Sequence, residues 1–363
     1  MTGAAPWAAH FGSTAWHVHE LIFGAVGAVI AGFLLSAVPN WTGRRPIAGV
    51  PLAVLFALWL AGRIAMLAVA PLDPATLAFI DALFPTVLAM LLFREIVLGA
   101  GRHSAKIAVL FTGFAIADIG FHAEALTRGV PEYSVRAAIA IVIALIIVIV
   151  GRIIPAFTGG NLAGMTQSAR PAQYGRLDSA SLAVAGVALA LWIALPVSPL
   201  TAGILILAAA MHALRLFRWR GWAVRGTPLL LVMHVAYAFV PLGFLLLGTS
   251  LVWSDAPVAA IHAWTAGAMG LMTLGVMARA ALGHAGRAIA AGPGLVAIFL
   301  AGFVAAVVRI AAPLGGRGAT TLLLVSAMCW IGAFAGFALW LAPLLLRVPA
   351  STRWTDGEDA DIR

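Results

Sequence analysis

Residues 16–43 read WHVHELIFGAVGAVIAGFLLSAVPNWTG. His17, His19 and Glu20 open the stretch, an uncharged run of apolar and small residues follows, and Pro39, Asn40 and Trp41 close it. A helix of about 20 apolar residues crosses a bilayer. Residues 14–38 meet that length, with Ser13 or Thr14 placed to cap the first turn. Imidazoles at the mouth of a membrane helix are costly unless something uses them. On a helix of ~3.6 residues per turn, positions i and i+2 stand about 200° apart. His17 and His19 therefore face different neighbours, and this helix is expected to divide two sites.

The whole chain shares the character of that stretch. Its 363 residues are 63% hydrophobic and only 10% charged, with a mean hydropathy of +1.05, whereas soluble domains carry about 25% charged residues. The sequence predicts an all-α, polytopic transmembrane bundle embedded in a lipid bilayer. Apolar segments bounded by Pro, Gly and charge give eleven helices, at 14–38, 47–70, 75–98, 104–127, 132–155, 178–196, 199–217, 228–249, 256–282, 287–312 and 319–346. Residues 156–177, rich in Gly, Ser, Thr and Arg, read as a loop; the other joins are short and make antiparallel neighbours. The organisation expected is a short outer segment over 1–13, one transmembrane domain over 14–346, and a disordered cytoplasmic tail over 347–363 with Asp356, Glu358, Asp359 and Asp361.

Lysine and arginine orient the bundle. One set of alternate loops and the tail hold most of them, from Arg44 and Arg45 through Arg102, Lys106, Arg170, Arg215, Arg218 and Arg287 to Arg363. The other set holds only Arg128, Arg136, Arg309 and Arg317. The basic loops are cytoplasmic by the positive-inside rule, so the N-terminus lies outside and the C-terminus inside. The net charge of +9 is membrane anchoring of this kind, and no nucleic-acid partner is expected. Cys329 is the only cysteine, which excludes a disulfide framework and marks it as a core residue. The first sixteen residues show neither the basic segment nor the cleavage site of a secretory leader.

Topology turns the nine histidines into a map. His17, His19, His122 and His262 share a depth on the outer side, whereas His212, His234 and His284 gather on the inner side. His103 and His10 lie in solvated segments. A lone membrane histidine often does no more than bond a neighbouring helix, but four at one depth on three helices suggest ligands. Neutral imidazole binds iron, copper and zinc. With one cysteine and few carboxylates on the inner side, haem or copper on histidine suits the chain better than a zinc cage or an iron–sulfur cluster. Arg63 and Asp81 lie at similar depth and are expected to pair, as buried charges must. Asp118, four residues before His122, either orients that imidazole or joins the Arg63–Asp81 network. Glu20 could do the same or carry protons. Arg94 and Glu95 read as interface residues, Met269, Met272 and Met277 as packing or as soft copper ligands, and tryptophans such as Trp16, Trp41, Trp219 and Trp222 as an aromatic belt.

Several longer motifs carry a family resemblance: His17-Val-His19-Glu20 with Pro39-Asn40-Trp41-Thr42-Gly43; Gly151 to Pro155 with Phe157, Thr158 and Asn161; Trp219-Arg220-Gly221-Trp222 followed by His234; and His262 through Gly270 to Gly283-His284-Ala285-Gly286-Arg287. Together they resemble the NnrS family across most of the chain. The resemblance implies a bacterial inner-membrane protein of about twelve helices that carries haem and copper and acts in denitrification or nitrosative stress resistance. Members of that family usually open with one further helix before the motif matched by His17 and His19, where this chain has only about fifteen residues.

The function expected is handling of nitric oxide or another diatomic ligand by a haem/copper membrane protein, served by a membrane or periplasmic electron donor. His17, His19, His262 and His122 are the candidate cofactor-binding residues. His17, His19, His262, His234 and His284 are the candidate metal ligands, and Glu20 and Asp118 support them or move protons. The competing reading is a polytopic transporter whose histidines relay metal ions or protons without bound haem. The sequence shows neither paired broken helices nor the internal repeat of secondary transporters.

Overall fold

Short connections and breaker residues divide the chain as a membrane bundle requires. In the computed structural model the described residues are 12–67, 72–99, 105–164, 166 and 170–346. His10, His103, Arg102, most of the segment 1–13 and the tail 347–363 lie outside them. Eleven helices appear among the described residues: α1 (Gly12–Thr42), α2 (Val50–Met66), α3 (Pro74–Leu98), α4 (Ala105–Arg128), α5 (Glu132–Asn161), α6 (Arg176–Ala194), α7 (Pro199–Arg218), α8 (Pro228–Gly248), α9 (Ala256–His284), α10 (Pro293–Ala311) and α11 (Ala319–Leu346). Ten are long and apolar enough to cross a membrane, whereas α2 has 17 residues.

The start signals are local. α3, α7, α8 and α10 begin on proline, whose missing N–H is one the first helical turn leaves unused in any case. Asp73 caps α3, accepting from the backbone N–H groups of Ala75 and Thr76. The Thr76 hydroxyl and these N–H groups hold its carboxyl below the usual carboxylate range.

Two boundaries differ from the sequence reading. α5 runs on to Asn161 through Pro155, so the loop expected from 156 begins only after Asn161. Proline has no N–H for the carbonyl four residues earlier, which here is Gly151 O. That carbonyl instead accepts from Arg215 Nη2 at 3.3 Å, so a tertiary donor replaces the missing helical one. α10 starts at Pro293 rather than near 287, because residues 285–292 form the connection.

Three helices contain π-helical segments: Glu20–Val26 in α1, Ile146–Val150 in α5 and Ala263–Gly270 in α9. Such segments loosen the regular hydrogen-bond ladder and concentrate at functional sites. The first begins directly after His19 and the last directly after His262.

α5 and α8 are the most buried of the helices. α5 touches α1, α4, α6, α8 and α9 and so joins the first four helices to the rest. Helices in lipid associate by close packing over small residues, and α8 meets α9 in this way. A β-carbon on Gly243 would stand 2.2 Å from Trp264 Nε1, which donates to Val240 O at 3.0 Å. α11 packs on α10 and leaves Leu324, Met328, Ile331 and Leu339 exposed. Cys329 is only half-buried on that helix rather than in the core.

Candidate metal centre

The polar side chains of α1 to α4 converge far from the arginine-rich connections. His19 comes from α1, Arg63 from α2, Asp81 from α3, and Asp118 and His122 from α4. His19 Nε2 lies 3.1 Å from Asp118 Oδ1 and 3.0 Å from Asp81 Oδ2, and His122 Nε2 lies 2.9 Å from the same Asp81 oxygen. Arg63 donates to Asp81 Oδ1 and to Glu20. Glu20 Oε1 also faces His19 Nδ1 at 3.3 Å. Asp81 is thus the hub, met by a guanidinium on one oxygen and by two imidazoles on the other.

Local structure makes the room. A β-carbon on Gly24 would stand 2.6 Å from Arg63 Nη1, and one on Gly62 would stand 2.9 Å from Asp81 Oδ1. Those two glycines let α1, α2 and α3 close around the charges. The His19 ring packs against Phe23 and Phe121, at centroid distances of 5.0 and 4.7 Å. His19, Asp81, Asp118 and His122 are all at most 2% exposed, while the Glu20 side chain keeps 20% exposure.

The charge balance decides what this group can do. With neutral imidazoles, the carboxylates of Glu20, Asp81 and Asp118 face one cation among the described residues, Arg63; the group carries a net charge of −2, part of it on the partly exposed Glu20. A low-dielectric interior does not tolerate that state. Protons can supply the balance, and so can one divalent cation. One ligand atom from each of His19, Asp81, Asp118 and His122 lies within 4.8 Å of the others, which is the convergence a metal ion needs.

The other candidate residues fall into separate groups. His17 is exposed on the opposite side of α1 from His19. Arg309 of α10 acts electrostatically on both His17 and His262, and His17 acts on His262. His262 Nδ1 donates to Val258 O at 2.7 Å. His234 Nδ1 donates to Leu230 O at 3.0 Å, its Nε2 faces Thr158 Oγ1 at 3.4 Å, and its ring lies against Gly221. His284 ends α9, exposed and without a side-chain partner among the described residues.

Sequence reasoning missed a second buried network. Arg215, placed among the loop arginines by the sequence, is 1% exposed within α7. It donates to Asp178 Oδ1 at 2.8 Å, to Ile147 O and Tyr237 Oη at 3.1 Å, and to Gly151 O. His212, three residues earlier, bonds Tyr237 Oη at 2.8 Å and Ser181 O at 3.2 Å. The i, i+3 spacing of His212 and Arg215 on one helix face was the available signal. Trp219 is likewise buried, over the Arg215 guanidinium, and not part of an aromatic belt. Glu95, near the C-terminal end of α3, is buried and paired with Arg44 rather than reaching out into solvent.

The NnrS protein family model matches residues 1–348. The chain belongs to the NnrS family. Membership makes it a membrane protein connected with nitric oxide and nitrosative stress. Comparison with curated proteins gives no match. The motifs of the NnrS resemblance sit at the polar sites: His19 and Glu20 in the cluster of α1 to α4, Gly151 beside Arg215, and residues 262–270 on His262 and the π-helical segment that follows it.

Proposed function

We propose that His19, Asp81, Asp118 and His122 hold a redox metal ion, and that the protein uses it with a haem to bind and process nitric oxide. The observation that carries this reading is the convergence of four buried donors, two imidazoles and two carboxylates, within 4.8 Å of one another in the membrane interior. Two imidazoles and two carboxylates suit copper(II), iron(II) or zinc, and copper is the metal the family resemblance implies. Arg63 and Glu20 fix the orientation of Asp81 and His19 from outside the donor set, as the partners of metal ligands commonly do.

A haem does not fit among these donors. The aromatic rings around His19 and the burial of all four residues leave no space for a macrocycle. His262 fits better. Its Nδ1–H is committed to the carbonyl four residues back, which leaves the Nε2 lone pair for a metal. The half-buried Arg309 guanidinium nearby suits an acidic substituent of the macrocycle. When bound, haem iron with one open position supplies diatomic-ligand binding and a copper ion supplies electron exchange. α1 stands between the two groups, with His19 on one side and His17 on the other. In this reading the arginine-rich connections face the cytoplasm, the membrane is the bacterial inner membrane, and electrons arrive from a membrane or periplasmic donor.

Titration of the purified full-length protein with nitric oxide, followed by optical and paramagnetic-resonance spectra, tests the function. The wild type is expected to give a nitrosyl spectrum that His262→Ala abolishes and His19→Ala alters. No spectral response in the wild type, or identical responses in all three proteins, contradicts it.

A further inference from the structure

A groove between α7 and α8 opens to the bilayer, with a volume of about 710 Å³ and an almost wholly apolar lining that runs from Ile206 to Phe217 on α7 and from His234 to Leu245 on α8. Twelve residues, eleven rises of 1.5 Å each, make it about 16 Å long. That is about half of a ~30 Å hydrocarbon core, the depth of one leaflet. At the arginine-rich end the groove meets a polar basin of about 860 Å³, and the two share Phe217 and Trp222 as a common wall. The rings of that wall pack at a centroid distance of 4.7 Å.

The basin is cationic. Arg170, Arg218 and Arg220 line it, and among the described residues no carboxylate does. Arg170 spends one donor on Ala163 O at 2.5 Å. Arg218 approaches Asp178 only at 3.7 Å, and that carboxylate is already engaged by Arg215 at 2.8 Å. Arg220 has no ion pair among the described residues. It also sits at φ 56°, a left-handed conformation that non-glycine residues rarely adopt. The connection between α7 and α8 holds a guanidinium at this place in spite of the strain.

We propose that this groove and basin bind an anionic phospholipid, with one acyl chain along α7 and α8 and the phosphate on Arg170, Arg218 and Arg220. Basic pockets between membrane helices recognise such head groups. The groove length matches one leaflet, its lining matches a hydrocarbon chain, and the charge lies where a head group lies. The same lipid braces the segment 170–173 against α7, where Ala172 N already donates to Arg218 O at 3.1 Å.

Native mass spectrometry of the full-length protein, delipidated and then offered phosphatidylglycerol and phosphatidylcholine at equal concentration, tests this. The wild type is expected to retain phosphatidylglycerol in excess, and the excess to fall about fivefold per arginine removed in Arg220→Gly and Arg170→Gln. Glycine suits the positive φ at position 220, so the first variant keeps the fold, and Arg170→Gln gives an independent readout of the same preference. Ala213→Phe, which fills the groove, is expected to lower retention of lipid while leaving the basin intact. Inorganic phosphate at the same concentration is expected to compete poorly. Equal retention of the two lipids by the wild type, or an unchanged preference in both arginine variants, overturns the proposal. So does phosphate binding that matches the lipid in the wild type and survives Ala213→Phe, which makes the basin a free-phosphate site.

Discussion

Asp81→Asn is expected to destabilise the protein by about 3–5 kcal/mol, because each buried donor left without an acceptor costs about 1–3 kcal/mol and a charged one more. The side chain is 2% exposed and serves Arg63 on one oxygen and both His19 and His122 on the other. Asparagine keeps the shape but offers one acceptor in place of two, and it turns an N–H₂ group toward existing donors. Whichever way the amide lies, either the guanidinium or the imidazole pair loses its acceptor. Replacing Arg63 by Met in the Asp81→Asn background is expected to cost less than replacing it in the wild type, because groups in one network are not additive. Unfolding in detergent, followed by loss of helical signal, measures both effects. A single variant within about 0.5 kcal/mol of the wild type, the range of a neutral surface change, contradicts this role for Asp81.

An effect of similar size is expected for Gly151→Ala. A β-carbon there would lie 2.5, 2.7 and 2.8 Å from three atoms of the Arg215 guanidinium. Arg215 cannot step aside, since Asp178, Tyr237 and two carbonyls of α5 hold it from different directions. A displaced guanidinium leaves the buried Asp178 carboxylate only its longer 3.7 Å contact with Arg218, and breaking such a buried pair costs about 3–5 kcal/mol. Gly203→Ala on α7 is the control: open space surrounds that position, and the change is expected within about 0.5 kcal/mol of the wild type. Equal stability of the two variants contradicts the packing around Arg215.

Fold class and family were legible because each rests on long, redundant signals. Ten helices each carry an apolar run long enough to cross a membrane, and the family motifs recur from His17 to Arg287. The 200° angle between positions i and i+2 is a property of one helix, so the separation of His17 from His19 needed no tertiary information. What those residues meet was not legible. Asp118 lies one turn before His122, but it is His19 that Asp118 Oδ1 meets at 3.1 Å, and His122 meets Asp81. Rotation of α4 against α1 and α3 decides that choice, and spacing along one helix carries no record of it. Arg215 was misplaced for a related reason. An arginine near a helix end has the sequence signature of an interface anchor, and only the π-helical segment of α5, with the carbonyl freed by Pro155, makes a buried site for it. The extension of α5 through Pro155 was hidden by the same rescue, since proline alone argues for a stop.

Elemental analysis of the purified full-length protein, wild type beside His19→Ala, His122→Ala and His284→Ala, tests the metal centre most directly. About one transition-metal ion per chain beyond any haem iron is expected in the wild type and in His284→Ala. Removing a ligand is expected to lower metal affinity by at least the 10–100-fold that loss of a supporting residue costs, so His19→Ala and His122→Ala should purify without that ion. A wild type with no such metal, or cluster variants that retain it in full, contradicts the assignment of His19, Asp81, Asp118 and His122 as its ligands.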